Sequence, residues 1–146
     1  MGKTPIGILQ NNPTNIRKNL LAPWMGEEQH QKNGFCQFVN RTFCYRATFL
    51  IFRSYVNNHG LRTLRDCIER WAPRTENDTG RYVRFVSNFS SYPEAVSIDL
   101  ANEDMMCRIV QAMAKMECGL DENIETIRKG YRLACVSQNM RNVKER

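Results

Sequence analysis

The stretch MCRIVQAMAKMECG, residues 106–119, shows most clearly which kind of fold this sequence encodes. Its apolar side chains recur every three or four residues: Met106, Ile109, Val110, Met113 and Met116. That spacing places them on one face of an α-helix. The glycine at position 119 suits the left-handed conformation that ends many helices. We therefore predict a helix that packs one face against a core and ends near Gly119.

Similar apolar stripes on both sides of this stretch predict four more helices. They fall within residues 47–55, 61–71, 82–89 and 124–135. Thr63 is a suitable N-cap for the second of these helices, and Pro73 should end it. About five helices with short links predict one compact, mainly α domain over residues 1–136. The polar, basic residues 137–146 are predicted to form a tail.

The first 45 residues have no helical periodicity. Turn signals occur at Asn11-Asn12-Pro13 and at Asn33-Gly34. The apolar run from Phe35 to Val39 follows the second signal and can form a short strand. We predict ordered loops here, with a small β-hairpin.

The charge of the chain is uneven. The formal net charge is +6. Residues 1–75 carry eleven Lys and Arg against four Asp and Glu, whereas residues 76–146 carry ten against eleven. A basic half favours a polyanionic partner, either nucleic acid or a bacterial wall with anionic polymers. It is equally compatible with an ordinary solvated surface. No turn between helices has the composition of a helix-turn-helix reader, so nucleic acid is the weaker candidate.

Several classes of protein do not fit this sequence. No apolar run approaches the roughly 20 residues that span a bilayer, so we expect no membrane partner. The N-terminus lacks the apolar core of a secretory signal, which predicts cytoplasmic synthesis and delivery by a virion, a lysis system or a secretion apparatus. The six cysteines are then expected to be reduced. Their spacing is not that of a zinc site, and we predict neither a metal nor a cofactor.

The ten residues RWAPRTENDT, 70–79, are the first candidate for chemistry. Cleavage of a glycosidic bond needs a protonated acid at the leaving oxygen, and usually a second carboxylate or a positioned water. Glu76 is the candidate acid. Trp71 can supply apolar surroundings that favour its protonated form, and a face that stacks on a sugar ring. The same stretch also suits a helix N-cap, where the helix dipole favours the ionised acid instead.

Two further places can contribute to a site. The stretch QNNPTNIR, residues 10–17, is rich in amide groups that suit sugar hydroxyls, and Arg17 suits a carboxylate or phosphate. Asparagines also stabilise turns through their own backbone, so a structural role is the alternative. Glu117 can face a cleft, or can simply mark the end of its helix.

Several motifs together resemble a family of phage and prophage virion structural proteins with lysozyme-like character. They are NNPTNIR at residues 11–17, W-x-G at 24–26, F-x-x-F at 35–38, Y-R-A at 45–47, RWAP-x-x-ENDT-x-x-Y at 70–82 and VQAMAKMECG at 110–119. The family's usual forms are N-N-P-G-N-I-R for the first, R-W/Y-A-P-P-x-E-N-x-T-x-x-Y-I for the fifth and V-x-A-M-x-x-x-E-N-G for the last. The resemblance covers about residues 6–130.

The resemblance implies a lysozyme-like helical domain that degrades peptidoglycan. It assigns substrate contacts and an acid to the positions that match the motifs: Asn12, Asn15, Arg17, Trp71, Glu76, Asn77, Thr79 and Glu117. Glu76 is the first choice for the catalytic acid and Glu117 the second. Asn77 or Thr79 can position a water or a sugar amide. Lys32 stands where the family often has an Asp, which puts a second carboxylate in doubt.

The sequence therefore leads to three functional hypotheses. The first is a peptidoglycan hydrolase or lytic transglycosylase that acts on peptidoglycan or another glycan. The second is a catalytically degenerate domain that binds the cell wall or other virion proteins. The third, with the least support, is a nucleic-acid-binding module.

Overall fold

The computed structural model describes residues 3–19, 22–28, 33–73 and 78–145, with side chains described through residue 136. Within these residues the chain is mainly helical, with one small antiparallel sheet. The elements are α1 (Ile6–Leu9), β1 (Glu27–Glu28), β2 (Gln37–Phe38), α2 (Arg41–Asn58), α3 (Leu64–Trp71), α4 (Thr79–Ser90), α5 (Glu103–Cys118) and α6 (Ile124–Glu145). The predicted mainly α fold with a small hairpin is confirmed.

Local capping chemistry explains where several helices begin and end. Thr63 caps α3 by accepting from the Asp66 backbone N–H, while the Asp66 carboxylate accepts from the Thr63 backbone N–H. This reciprocal arrangement satisfies backbone donors that would otherwise have no partner. Helix α5 ends at Gly119, which adopts a left-handed φ of 69°. Both boundaries agree with the sequence predictions.

The start of α2 was not predicted. The sequence pattern predicted a helix from residue 47, whereas Asn40 caps α2 through the Phe43 backbone N–H and the helix begins at Arg41. Helix α2 lies between two apolar clusters, so its first turns are buried on several sides. Tyr45 belongs to the large core, and Cys44 belongs to the small cluster with the N-terminal segment. A helix buried this way has no single apolar stripe to detect.

The large core is formed by α2 to α6. Its fully buried side chains include Tyr45, Phe52, Ile68, Met113 and Ile127. Helix α6 crosses α2 closely at Gly130, where a β-carbon would lie 2.9 Å from the Arg46 backbone nitrogen and from the Thr42 carbonyl oxygen. The small cluster contains Ile16, Cys36, Phe38, Cys44 and Ala47, and it fixes the N-terminal segment on α2.

The N-terminal segment is held by short pairings. Strands β1 and β2 pair antiparallel, with Glu27 opposite Phe38, and an isolated bridge joins Arg17 to Phe35. The short helix α1 was not predicted, since four residues are too few for a periodic pattern. These pairings place the asparagine-rich loop of residues 10–17 beside the C-terminal end of α5.

Three remaining sequence predictions concern the whole chain. All six cysteines lie in the described part of the chain with free thiols, and their redox state stays a prediction. None of the helices described is both long and apolar enough for a bilayer span. The backbone of α6 continues to Glu145, and the division between a domain and a tail at residue 136 stays a prediction.

Candidate functional site

A groove of about 470 Å³ lies between the N-terminal segment, which precedes α2, and the C-terminal ends of α3 and α5. The N-terminal segment forms one wall, and α2, the end of α3 and the end of α5 form the other. Its lining residues are Asn15, Ile16, Arg17, Asn19, Trp24, Phe35, Ile51, Tyr55, Trp71 and Glu117. The groove thus combines aromatic faces, two amides, one cation and one carboxyl group.

Glu117 accepts three side-chain hydrogen bonds at this groove. Asn15 Nδ2 donates to Oε1 at 3.0 Å. Trp71 Nε1 and the Tyr82 hydroxyl donate to Oε2 at 3.2 and 3.0 Å. The three donors come from the N-terminal loop, α3 and α4, so the carboxyl group joins three parts of the fold.

The surroundings of Glu117 alter its affinity for a proton. Burial raises the pKa of the carboxyl group, whereas the bonds from Asn15, Tyr82 and Trp71 and the charge of Arg17 lower it. Burial dominates, so the pKa of Glu117 lies above its ordinary value. A carboxyl group with a raised pKa in a groove is suited to act as a general acid.

Trp71 is placed by the end of α3. It is the last residue of that helix, and its ring stacks on Phe52 of α2 with the centroids 6.1 Å apart. Because Trp71 lines the groove, it can present indole surface to a ligand while its N–H holds Glu117.

Asn15 is placed by the turn that the asparagine-rich segment forms. Its backbone adopts a left-handed φ of 57°, which asparagine tolerates better than most residues. Asn12 supports this turn from inside. Its side chain donates to the carbonyl oxygens of Ile16 and Cys36 at 3.0 and 2.9 Å, and accepts from the Ile16 backbone N–H.

Gly7 allows α1 to pack against this turn. A β-carbon there would lie 2.3 Å from Cys118 Sγ, 2.7 Å from the Asn12 carbonyl oxygen and 2.8 Å from Asn15 Oδ1. Real β-carbons do not approach other atoms so closely, so the site requires glycine at position 7.

Arg17 brings positive charge to the groove. It is exposed, and its guanidinium lies 5.3 Å from the centroid of the Phe35 ring. The Arg17–Phe35 backbone bridge holds the two residues side by side. A guanidinium in this position can bind a carboxylate or phosphate of a ligand.

The structure brings together four of the residues that the sequence singled out: Asn15, Arg17, Trp71 and Glu117. Glu76, Asn77 and Lys32 lie outside the described residues, so their predicted roles stay predictions.

Asn12 and Thr79 do not line the groove, and the substrate contacts predicted for them stay predictions. Asn12 is fully buried, and Thr79 is 3% exposed with its hydroxyl donating to the Ala72 carbonyl oxygen at 2.6 Å. Both side chains are enclosed by protein, and neither lines the groove. They fix the loop and the α3–α4 connection on which the groove depends.

The sequence pattern did not predict that Tyr82 contacts the candidate acid. Its position in the apolar stripe of α4 assigned it to the core, and it is indeed 3% exposed. Its hydroxyl nevertheless reaches Glu117. A tyrosine at a core position of the helix could have indicated this contact, because a buried hydroxyl needs a hydrogen-bond partner.

The described side chains give no indication of a metal centre, because no three His, Cys, Asp or Glu residues among them lie close enough together to hold an ion.

Comparison with known proteins identifies one relative from a phage. The chain is 33% identical over 129 residues to Protein P5 of Pseudoalteromonas phage PM2. The match covers 86% of this chain and 79% of that protein. No family model matches the chain.

Proposed function

We propose that this chain, which belongs to the family of Protein P5 of Pseudoalteromonas phage PM2, cleaves the glycan strands of peptidoglycan during a phage life cycle. Glu117 is the proposed general acid. The observation that carries this proposal is a half-buried carboxyl group with a raised pKa in a groove lined by aromatic and amide side chains. The resemblance of the sequence motifs to phage virion proteins with lysozyme-like character implies the same chemistry.

The proposed reaction starts with proton transfer from Glu117 to the glycosidic oxygen. Protonation makes that oxygen a better leaving group as positive charge develops on the sugar ring. Trp24, Phe35 and Trp71 offer faces for sugar rings, and Asn15 offers an amide. Arg17 can bind a carboxylate of the muramyl residues or of the peptide.

The groove suggests how the second half of the reaction proceeds. Among the described residues that line it, Glu117 is the acidic one. A single carboxyl group suits attack by a positioned water, or attack by a hydroxyl of the sugar itself as in a lytic transglycosylase. Glu76 stays a candidate second carboxylate. A separation from Glu117 of about 5 Å would suit a retaining pair, and about 6.5–9.5 Å an inverting pair.

The test is wall lysis by the Glu117→Gln variant. The purified protein should release soluble fragments from peptidoglycan, and Glu117→Gln should release at least about a hundredfold less, since general acid catalysis contributes about 10²–10⁴ in rate. Glu125→Gln is the matched control, because Glu125 is exposed on α6 and pairs with Arg128. If Glu117→Gln lyses walls as fast as Glu125→Gln, Glu117 is not the acid.

A second candidate function is a binding or structural domain of the virion. The observation that favours it is that Glu117 already has three hydrogen-bond donors without a ligand, as a structural acid would. The basic first half of the chain would then attract the anionic wall, or acidic surfaces of other virion proteins. Protein that sediments with peptidoglycan but releases no fragments would support this function over cleavage.

A further inference from the structure

The two oxygens of the Glu117 carboxyl group have different surroundings. Oε2 faces the core side, where it accepts from Trp71 Nε1 and the Tyr82 hydroxyl. Oε1 accepts from Asn15 Nδ2, which belongs to the N-terminal loop on the other wall of the groove. The carboxyl group is therefore held by two donors at one oxygen and by one donor at the other.

The chemistry of these donors limits where a proton can sit on Glu117. The indole N–H of Trp71 can only donate, and the carbonyl oxygen of a protonated carboxyl group accepts hydrogen bonds better than its hydroxyl oxygen, so two donors at Oε2 favour Oε2 as the carbonyl oxygen. The Asn15 amide carries both a donor and an acceptor, and it can turn its oxygen toward a proton on Oε1. The favoured protonated form thus has its proton on Oε1.

We infer that Tyr82 and the Trp71 indole N–H are positioning groups that keep the Glu117 proton on Oε1, beside Asn15 in the groove. This inference rests on the proposed function, because it states which oxygen would deliver the proton to a glycosidic bond. The Tyr82 hydroxyl and the Trp71 N–H act through Glu117, so neither group has to contact the reacting atoms.

The surroundings of the two donors, Tyr82 and Trp71, support this assignment. Tyr82 is 3% exposed, and burial raises the pKa of its hydroxyl well above the ordinary value, so the group remains a protonated donor. Trp71 is fixed by its stacking on Phe52. The Asn15 side chain is held less firmly, with its Oδ1 3.8 Å from Cys118 Sγ.

The other titratable groups near Glu117 are few among the described residues. Arg17 lies on the N-terminal loop, Cys118 follows Glu117 on α5, and Tyr55 lines the groove from α2. Substitution of Tyr82 by phenylalanine therefore removes one donor to Oε2 and leaves these groups in place.

The experiment is an NMR titration of the full-length protein that follows the Glu117 side-chain carboxyl carbon and the indole N–H of Trp71. Because loss of a donor destabilises the carboxylate, Tyr82→Phe should bind the Glu117 proton about tenfold more tightly than the wild type. Tyr92→Phe is the matched control, since its hydroxyl donates to Asp104 at 2.7 Å, and it should leave Glu117 unchanged.

The indole signal tests the position of the proton directly. The Trp71 N–H should keep the chemical shift of a hydrogen-bonded indole on both sides of the Glu117 titration. The chain contains two tryptophans, so Trp24→Phe assigns the resonance.

Either of two results would overturn the inference: an unchanged Glu117 titration in folded Tyr82→Phe, or loss of the Trp71 hydrogen bond when Glu117 takes up its proton. If Tyr82→Phe does not fold, the Trp71 signal of the wild type decides alone. A wild-type protein that shows the expected titrations but no wall lysis would overturn the proposed function and leave the inference standing.

Discussion

Replacement of Gly7 by alanine should destabilise the protein at the point where α1 meets the groove. The added β-carbon would lie within 3.0 Å of three atoms: Cys118 Sγ, the Asn12 carbonyl oxygen and Asn15 Oδ1. The sulfur at 2.3 Å must move by more than 1 Å to reach an ordinary contact distance of about 3.5–4.0 Å. The Asn12 oxygen belongs to the backbone, so a side-chain rotation cannot relieve that contact.

The expected cost of Gly7→Ala is about 2–3 kcal/mol, toward the upper end of the range for overpacked cores. It should appear as a decrease in the free energy of unfolding by urea, measured by far-ultraviolet circular dichroism. For a chain of this length the thermal midpoint should fall by roughly 5–10 °C. Because the clash includes Asn15 Oδ1, the Trp71 and Glu117 signals of the groove should change as well.

Gly80→Ala is the matched control for this substitution. Gly80 also lies in a helix, but the nearest atom to its β-carbon would be a nitrogen of the flexible Arg84 guanidinium, at 3.2 Å. Alanine there should stabilise the protein by about 0.5–1 kcal/mol, because glycine is a poor helix former. If Gly7→Ala is as stable as the wild type within about 0.5 kcal/mol, a size usual for surface substitutions, the close packing at Gly7 does not limit the fold.

Two further predictions concern buried carboxyl groups. The pKa of Glu117 is raised above its ordinary value of 4.5 in the folded state. Between pH 4.5 and the raised pKa, the folded protein therefore holds more protons than the unfolded chain. The free energy of unfolding should then fall as the pH rises through this window. Glu117→Gln should remove this part of the pH dependence in urea unfolding, and an unchanged slope would contradict the raised pKa. The Tyr45 hydroxyl donates at 2.7 Å to Glu122, an acid that is 5% exposed. Tyr45→Phe should therefore lower the free energy of unfolding by about 1.5–3 kcal/mol, the usual value for a hydrogen bond to a charged group. A loss below about 0.5 kcal/mol in urea unfolding would show that the other two donors to Glu122, the Arg41 guanidinium and the Asn123 backbone N–H, satisfy the carboxylate without Tyr45.

The candidate site could be anticipated only in pieces. The asparagine-rich loop, Trp71 and Glu117 were each identified from local composition or from motifs. Asn15 and Glu117 are 102 positions apart in the chain, yet their side chains are in contact. Sequence position carries no information on that contact, which depends on α1 packing beside α5 and on the small sheet packing against α2.

The support for Glu117 as a candidate acid shows the same limit. Sequence motifs favoured Glu76 over Glu117, since Glu117 read equally well as the polar end of a helix. The desolvation of Glu117 and its three donors arise from contacts among α3, α4, α5 and the N-terminal loop, whereas Glu76 lies outside the described residues and stays a prediction.

The sequence by itself determined the helical class and most helix ends, because periodicity, the Thr63 cap and the glycine at 119 act within a few residues of chain. It could not locate the start of α2, since the first turns of that helix lie between two apolar clusters and have no single apolar stripe. The tertiary structure alone decided that a core tyrosine, an indole N–H and a loop amide meet at one carboxyl group. Burial and hydrogen bonding at Glu117 depend on the distances between distant segments of the chain, and the order of the residues does not set those distances.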